Sequence, residues 1–233
     1  MSCSRIKAKL LHVWRNWIRP MAVVILVLSM VRSAVADWND VPTGSMKPTI
    51  LEGDRIFVNK LAYGLKIPFT TFHVARWGKP QRGEIVVLFS PVDGTRLVKR
   101  VVGLPGETIE MIDNRLYVDG QEASYQPLPD SVVDELAVAE RPGHGFANEK
   151  LFGTAHAVMS TPGKSAMRSF GPVAVPAEQY FVMGDNRDNS ADSRYFGTVQ
   201  ADQIVGRSSA IALSLDYEHY FLPRWGRFFK PLR

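Results

Sequence analysis

A nearly unbroken apolar run, Met21 to Val31, lies close to the start of this 233-residue chain. With its flanks, Pro20 to Ala36, it approaches the roughly 17–25 residues that a helix needs to cross a bilayer. Two tryptophans precede the run and Trp38 follows it, which is typical of aromatic residues at membrane surfaces. We therefore expect residues 20–36 to form one transmembrane anchor, followed by a separate body.

Positive charge is concentrated before this run. The tail, residues 1–19, contains five arginine and lysine residues, and segments rich in these residues stay on the cytoplasmic side of a membrane. We therefore expect a cytoplasmic tail and an exported body, residues 37–233. The net charge of the chain is only +5 and the body has no long basic run, which argues against a nucleic-acid partner.

The N-terminal region also fits a cleavable signal peptide. Ala34-Val35-Ala36 before Asp37 has the small-residue pattern of a cleavage site, and the apolar run is short enough for either structure. The segments that follow favour a retained anchor, but cleavage after Ala36 stays open. Cys3 is the only cysteine, so an intrachain disulfide is excluded.

Beyond Asp37 the sequence alternates between short strands and turns rich in Gly and Pro. The clearest strands are Asp54–Asn59, Glu84–Phe89, Arg96–Val102, Gln179–Met183 and Gln203–Ser214, with a hairpin of Thr108–Ile112 and Arg115–Val118. Residues 121–173 are more polar and weaker in pattern, which indicates an insertion or surface loops. The sequence therefore predicts a mainly β protein. We expect an antiparallel β-sheet domain with an inserted β/loop subdomain at about residues 107–175, preceded by one transmembrane helix.

One serine of the body stands out, Ser45 in the segment Pro42-Thr43-Gly44-Ser45-Met46-Lys47-Pro48-Thr49. It lies just beyond the apolar run, where a nucleophile would meet chains that emerge from the membrane. A serine hydroxyl is a poor nucleophile and needs a base to accept its proton. The five histidines lie in the tail or in polar, loop-like contexts, so we expect most to be solvated and a Ser-His-Asp triad to be absent.

Lysine is the other base to consider, and Lys99 meets the requirement that its amine lose water. In its predicted strand, alternation places Lys99 on one face with Leu97 and Val101, and Arg100 on the other. Aliphatic neighbours disfavour the charged amine. Considered alone, such a lysine would more often point to water, and only the need of Ser45 for a base favours the buried alternative.

A third segment, Gly184 to Arg194, follows a predicted strand and is dense in polar side chains. Ser190 and Ser193 are able to orient a neutral lysine by hydrogen bonding. Two ion pairs are possible within the segment, Asp192 with Arg194 or Asp185 with Arg187. Considered alone, the segment is equally typical of a polar surface turn.

Together these segments resemble the bacterial type I signal peptidases, also called leader peptidases. Four motifs occur here in that family's order: Pro42 to Thr49, Gly53-Asp54 with Val58 and Lys60 to Gly64, Lys99 to Gly106, and Gly184 to Arg194. Order and spacing agree from the anchor to about Gly206, so the resemblance covers most of the chain.

The resemblance implies a membrane-anchored serine endopeptidase that removes signal peptides from exported preproteins after small residues, at Ala-x-Ala type sites. It makes Ser45 the nucleophile and neutral Lys99 the general base, with Ser190 holding the amine. The Ser45 backbone N–H and the Thr43 hydroxyl would form the oxyanion hole, where relatives often have serine in place of the threonine.

Further expectations follow from the same resemblance. Asp192 and Arg194 form a supporting pair, and no cofactor or metal is expected. Shallow apolar pockets would admit alanine side chains of a substrate bound as an extended strand. The candidate wall residues are chosen because they flank Ser45 and Lys99 in the sequence: Val41, Pro42, Met46, Ile50, Leu97 and Val98. The enzyme would lie in the bacterial cytoplasmic (inner) membrane with its catalytic domain on the periplasmic face.

Two terminal regions remain open to interpretation. Phe221 to Lys230 mixes aromatic and cationic residues, which favours contact with membrane phospholipids slightly over simple packing on the body. Ala34-Val35-Ala36 fits the implied specificity, so self-cleavage after Ala36 is a hypothesis. We favour the alternative that this stretch merely connects the anchor to the serine.

Three competing functions fit less well. A self-cleaving repressor-type protease shares the dyad and the β fold but needs an N-terminal pair of DNA-binding helices, where this chain has an apolar run. A penicillin-binding enzyme needs Ser-x-x-Lys, and Ser45-Met46-Lys47 lacks the two-residue gap. The alternative outside catalysis is an inactive anchored β-domain that binds exported chains. Only the joint presence of Ser45, Lys99 and Ser190 argues against it.

Overall fold

The computed structural model of the protein describes residues 9, 11–67, 70, 73–136, 141–217 and 219–232. Cys3 and part of the basic tail lie outside these residues. The first element, α1, is a continuous helix from Leu11 to Ala34. It contains a π-helical stretch, Trp14–Ile18, followed by the regular helix Arg19–Ala34.

Helix α1 is long and apolar enough to cross a membrane. Its 24 residues at 1.5 Å each span about 36 Å, more than the about 30 Å hydrocarbon core of a bilayer. The apolar side chains from Val23 to Leu28 are between 51% and 62% exposed. Such a surface is unfavourable in water and suits lipid. The helix stops two residues before the predicted end of the anchor, because Ala36 begins the first strand.

Strands make up most of the body. In chain order they are β1 Ala36–Asp40, β2 Asp54–Asn59, β3 Gly64–Lys66, β4 His73–Arg76, β5 Ile85–Phe89, β6 Arg96–Gly103, β7 Thr108–Ile112, β8 Arg115–Val118, β9 Gln121–Glu122, β10 Ser124–Pro127, β11 Gly145–Leu151, β12 Thr154–Ser160, β13 Phe170–Ala174, β14 Gln179–Met183, β15 Val199–Gln200, β16 Ile204–Asp216 and β17 Leu222–Pro223. The short helices are α2 Asp130–Val133 and α3 Ser193–Phe196. Single 3-10 turns occupy Gly44–Met46, Lys60–Ala62, Arg187–Asn189, Ala201–Gln203 and Trp225–Arg227.

The largest sheet has eight strands in the order β1-β2-β16-β5-β6-β14-β15, with β17 paired to β16. All of these pairs are antiparallel. Strand β5 shows why its sequence is apolar at successive positions. Ile85 and Val87 belong to one apolar cluster, and Val86 and Leu88 belong to a second, so both faces of the sheet are covered. The prediction of a mainly antiparallel β protein after one N-terminal apolar helix is confirmed.

Between β6 and β14 the chain leaves this sheet, and we call residues 107–175 the inserted segment. It forms two smaller sheets, β13-β7-β8-β9 and β10-β11-β12. The first packs Ile109 and Met111 against Phe181 and Met183 of the main sheet. The β11–β12 hairpin lies where the sequence indicated an insertion or surface loops. Its strands carry many polar residues, so the alternation of apolar and polar positions is weak there.

Candidate active site

Ser45 lies in the 3-10 turn Gly44–Met46, which a distant segment holds in place. Asn186 donates two hydrogen bonds to this turn, from its backbone N–H to the Ser45 carbonyl oxygen at 3.1 Å and from Nδ2 to the Gly44 carbonyl oxygen at 3.0 Å. A Cβ at Gly44 would lie only 3.0 Å from Glu52 Oε1, so a side chain there would be crowded. Ser45 itself is half-buried. Its backbone is therefore fixed while the residue keeps some access to solvent.

Strand β6 brings Lys99 to this serine. Lys99 Nζ lies 2.7 Å from Ser45 Oγ, within hydrogen-bonding distance. The lysine is only 2% exposed, and among the described residues it forms no ion pair. Burial lowers the pKa of the Lys99 amine to about 8; Asp192 and Asp185 oppose this shift, and Arg194 adds to it.

A pKa near 8 changes what the amine can do. With the ordinary lysine pKa of 10.5, only about 0.3% of the amines would be neutral at pH 8. About half of the Lys99 amines are neutral at that pH. The site thus pairs a serine hydroxyl with an amine that can accept its proton, which is the arrangement required for nucleophilic catalysis.

The next residue, Arg100, is also buried, but unlike Lys99 it forms an ion pair with a described residue. It is fully buried, and its guanidinium donates to both carboxylate oxygens of Asp185, from Nε at 2.8 Å and from Nη2 at 2.7 Å. A third bond runs from Nη1 to the Gly83 carbonyl oxygen at 2.7 Å. The sequence allowed Asp185 to pair with Arg187, but the pairing with Arg100 is the one that forms. A carboxylate therefore compensates the charge of Arg100, whereas its neighbour Lys99 has no ion-pair partner among the described residues.

Ser190 lies close to the serine turn. Its hydroxyl is buried and has no hydrogen-bond partner among the described residues, so the expected bond to Lys99 is not formed here. A Cβ at Gly184 would lie 2.3 Å from Ser190 Oγ and 2.4 Å from the Ser45 carbonyl oxygen. Only glycine fits between these two residues, which explains the glycine that opens this segment.

The other ion pair allowed by the sequence, Asp192 with Arg194, is present and buried. Arg194 donates to both carboxylate oxygens, from Nε and Nη2 at 2.8 Å each. Asp192 Oδ2 also accepts the backbone N–H of Gly184 at 3.0 Å. Asp192 therefore links the start of the segment, at Gly184, to its end, at Arg194. The charges of Asp192 and Arg194 both act on the Lys99 amine.

Thr43 and the six candidate pocket residues differ in how deeply they are buried. Thr43 directly precedes the serine turn, is exposed, and makes no capping hydrogen bond to it. Three pocket candidates are buried in the apolar cluster that contains Ile56: Val41, Met46 and Ile50. The others are less buried: Val98 packs against the same cluster, Leu97 packs against the second cluster, and Pro42 is exposed.

A buried polar cluster beside the site was missed by the sequence analysis. His156 was expected to be solvated, but its side chain is inaccessible, with Nε2 3.3 Å from Glu149 Oε1 and 4.0 Å from Asp185 Oδ1. Glu149 in turn accepts a hydrogen bond from Arg187 Nη2 at 2.6 Å. The turn at Phe152-Gly153 was the one available signal, because a hairpin centred there places Glu149 opposite His156, as observed.

Comparison with known proteins gives consistent matches. Residues 14–213 match the family model described as signal peptidase, peptidase S26. Signal peptidase I of Pseudomonas fluorescens is 38% identical over 210 residues, which cover 84% of this chain and 70% of the relative. Signal peptidase I T of Bacillus subtilis is 32% identical over 201 residues, 86% of each chain. A solved signal peptidase I from Enterococcus faecalis is 35% identical over 56% of this chain and 97% of that one, with a TM-score of 0.35.

Proposed function

Since the chain belongs to the signal peptidase family, peptidase S26, and is a serine endopeptidase that removes signal peptides, we propose that Ser45 and Lys99 form its catalytic dyad. The observation that supports this most directly is the 2.7 Å contact between Ser45 Oγ and Lys99 Nζ. The amine is buried and, within the described part of the chain, lacks an ion-pair partner. Both conditions favour the neutral form that a general base requires.

The proposed reaction has two stages. Neutral Lys99 accepts the Ser45 hydroxyl proton while Oγ attacks the scissile carbonyl carbon. The C–N bond then breaks, and the Lys99 ammonium gives its proton to the leaving amine. In the second stage Lys99 deprotonates a water molecule, which hydrolyses the acyl-enzyme and restores the serine.

Three groups would support these steps. The Ser45 N–H and the Thr43 hydroxyl stabilise the oxyanion, and one such donor is worth about 10²–10³ in rate. Thr43 is suited to this because its side chain does not cap the serine turn. Ser190, whose buried hydroxyl is unpartnered among the described residues, aims the Lys99 amine when that amine turns toward it.

We further propose that the site cleaves after Ala-x-Ala type sequences. Pro42, Leu97 and Val98 are less buried than the other candidate residues and would line shallow apolar pockets. Val41, Met46 and Ile50 lie in the core and would form the floor. The substrate would lie extended beside a strand of the enzyme, with main-chain hydrogen bonds giving affinity and the pockets giving specificity.

The proposed location is the bacterial cytoplasmic membrane, with α1 as the anchor, the N-terminus inside and the body on the outer, periplasmic face. The C-terminal segment supports contact with phospholipids. Its side chains Tyr220, Phe221, Trp225 and Phe229 are between 61% and 95% exposed. The buried Arg227 fastens the same segment to the body through Asp54, 2.6 Å away. Aromatic residues held outward in this way suit the headgroup region of a bilayer.

Cleavage of a preprotein in detergent tests the dyad. Ser45→Ala and Lys99→Ala should each lower the rate at least about 1,000-fold, because the two groups act as a unit. Ser160→Ala and Lys150→Ala are matched controls in the inserted segment and should cut like wild type. If either dyad variant cuts like wild type, the assignment is wrong. A wild-type protein that binds preproteins without cutting them would favour the inactive alternative.

Vesicles of anionic phospholipid test the membrane contact. Replacing Trp225 and Phe229 by Ser in the full-length enzyme should lower cleavage of a membrane-inserted preprotein several-fold, while a short soluble peptide is cut at an unchanged rate. Equal effects on the two substrates would contradict the proposed contact.

A further inference from the structure

The inserted segment places two buried polar residues beside Asp185 and Arg187, in the turn that follows β14. Glu149 on β11 and His156 on β12 are directly opposite each other in the hairpin. Both side chains are fully inaccessible to solvent. Burying a carboxylate and an imidazole is costly unless each is paired, so their position calls for an explanation.

Glu149 holds the turn that follows β14. Its carboxylate accepts hydrogen bonds from Arg187 Nη2 and from the Tyr125 hydroxyl, each at 2.6 Å. The main chain of the same hairpin adds a contact, since the Met159 N–H donates to the Asp185 carbonyl oxygen at 2.8 Å. The inserted segment therefore grips residues 185–187 through both a side chain and the backbone.

The same turn holds both halves of the dyad. Asn186 supports the Ser45 turn through the two hydrogen bonds described above. The Asp185 carboxylate binds Arg100, the neighbour of Lys99, and accepts the Thr49 hydroxyl at 2.5 Å from the serine segment. A displacement of residues 185–187 would therefore move the nucleophile and its base relative to each other. Small displacements of this kind are costly in rate.

His156 lies between the two ion pairs of this region. The charged groups that face it are Glu149, Asp185 and Arg100. Burial and the Arg100 charge lower the pKa of His156, against the opposing effects of the two carboxylates, so the ring is neutral at pH 7. Burial raises the pKa of Glu149, but the neighbouring Arg187 charge lowers it by a larger amount, and the net pKa is well below the ordinary value. Two carboxylates are thus balanced by two guanidinium groups around a neutral ring.

We propose that Glu149 and His156 are positioning residues for the Ser45–Lys99 dyad, through which the inserted segment sets the geometry and the charge of the active site. This inference rests on the proposed function of the dyad. It gives the inserted segment a part in catalysis that does not require it to touch the substrate.

The test uses the full-length enzyme in detergent and a peptide with an Ala-x-Ala site. The parameters kcat and KM are measured from about pH 6 to about pH 10, with the enzyme concentration taken from titration of its reactive serine. Glu149→Gln leaves the Arg187 charge unbalanced beside the site. We expect kcat to fall about 10- to 100-fold with KM unchanged within about twofold. In the plot of kcat against pH, the midpoint of the fall on the acid side (the acid limb) should move to lower pH, because an added positive charge disfavours the Lys99 ammonium.

His156 provides a second test that leaves the formal charge unchanged at neutral pH. The His156 ring lies 3.3 Å from Glu149 without a hydrogen bond to it among the described residues. His156→Gln places a neutral amide donor within reach of Glu149, whereas His156→Leu removes the polar group. We expect kcat of the leucine variant to lie about 10-fold below that of the glutamine variant, which should stay close to wild type.

Glu122→Gln is the matched control, since it removes an exposed ion pair with Arg115 elsewhere in the inserted segment. A residue that only supports folding would change the amount of titratable enzyme, but neither kcat per active site nor the acid limb. That result for Glu149→Gln would overturn the proposal. If Glu149→Gln does not fold, the His156 pair decides, and equal kcat for its two variants overturns the proposal. A wild-type enzyme that does not cut, or a Ser45→Ala variant that does, would instead defeat the dyad itself.

Discussion

Two regions of this protein use the same kinds of ion pair, one away from water throughout and the other with its arginines in contact with solvent. The buried charge network consists of Arg100, Asp185, His156, Glu149 and Arg187, which are nearly inaccessible to water. The anchor cluster, where α1 ends, consists of Arg32, Asp37, Lys60 and Arg96. In it Asp37 lies 3.0 Å from Arg32 and 3.4 Å from each of the other two cations. The side chains of Arg32 and Arg96 are 65% and 37% exposed, whereas those of Asp37 and Lys60 are 9% and 12% exposed.

Access to solvent decides what each pair contributes. An exposed pair typically stabilises a protein by about 0–1 kcal/mol. Removing one member of a buried pair leaves a charge without compensation and costs about 3–5 kcal/mol. The buried charge network can therefore hold atoms around the dyad in fixed positions. The anchor cluster guides where the chain leaves α1, with Lys60 Nζ donating to the carbonyl oxygens of Arg32 and Ser33 at 3.0 and 3.1 Å.

Asp185→Asn should produce the largest change. The amide does not compensate the buried Arg100 charge, so the free energy of unfolding should fall by about 3–5 kcal/mol. Equilibrium unfolding in denaturant, with the full-length protein in detergent, measures this loss. Asp40→Asn removes an exposed ion pair with Arg55 and should cost less than about 1 kcal/mol. Equal losses from the two variants would mean that burial does not decide how much an ion pair contributes in this protein.

Lys99→Met should stabilise the protein at neutral pH while it abolishes cleavage. The folded-state pKa of Lys99 is about 8, below its ordinary 10.5, so the unfolded chain binds more protons between these values. The cost of the buried ammonium is full below pH 8 and disappears as the pH rises toward 10.5. We expect the free energy of unfolding to rise by about 1–3 kcal/mol at pH 7 and by clearly less at pH 10. An equal gain at both pH values, or a loss at pH 7, would contradict this.

Asp37→Asn should have a small effect, less than about 1 kcal/mol at pH 7. Burial raises the pKa of Asp37, but Arg32 and Lys60 lower it by a larger amount, so that the net pKa is below the ordinary 3.8. The stabilising contribution is therefore present above pH 3.8 and is lost as the pH falls through the lowered pKa. The difference from wild type should narrow in acid and in high salt. If the free energy of unfolding fell by more than about 2 kcal/mol at pH 7, the anchor cluster would stabilise the protein as strongly as the buried charge network does.

No change is expected at Ala34-Val35-Ala36, which adjoins the anchor cluster. The Val35 carbonyl oxygen accepts the Lys60 N–H at 3.0 Å, and Ala36 pairs with Asn59 in the main sheet. A segment already paired in this way is not free to bind as an extended substrate. Mass spectrometry after long incubation should therefore find an intact N-terminus. A product cut after Ala36 in wild type but not in Ser45→Ala would show that self-cleavage occurs.

Much of this molecule follows from local patterns. The apolar run predicts α1, alternation predicts β2, and a short apolar run predicts β14, with both strands at their observed bounds. Lys99 is buried, which its strand pattern alone did not establish; only the need of Ser45 for a base favoured that position. The hairpin β11–β12 could not be predicted with the same certainty. Its buried positions include Glu149 and His156, which are polar and therefore do not produce the alternation of apolar and polar residues that indicates a strand.

By itself, the sequence determined the helix and the positions of the main strands, because each depends on neighbours within a few positions. Its four motifs, taken together, pointed to the two residues proposed as the dyad. Only the tertiary structure decided which charges meet. Asp185 pairs with Arg100, 85 positions away, instead of with Arg187, and Arg187 pairs with Glu149, 38 positions away. Which of these ion pairs form depends on which segments pack against each other in the interior, where water cannot reach. A pattern read along the chain contains no information on that packing.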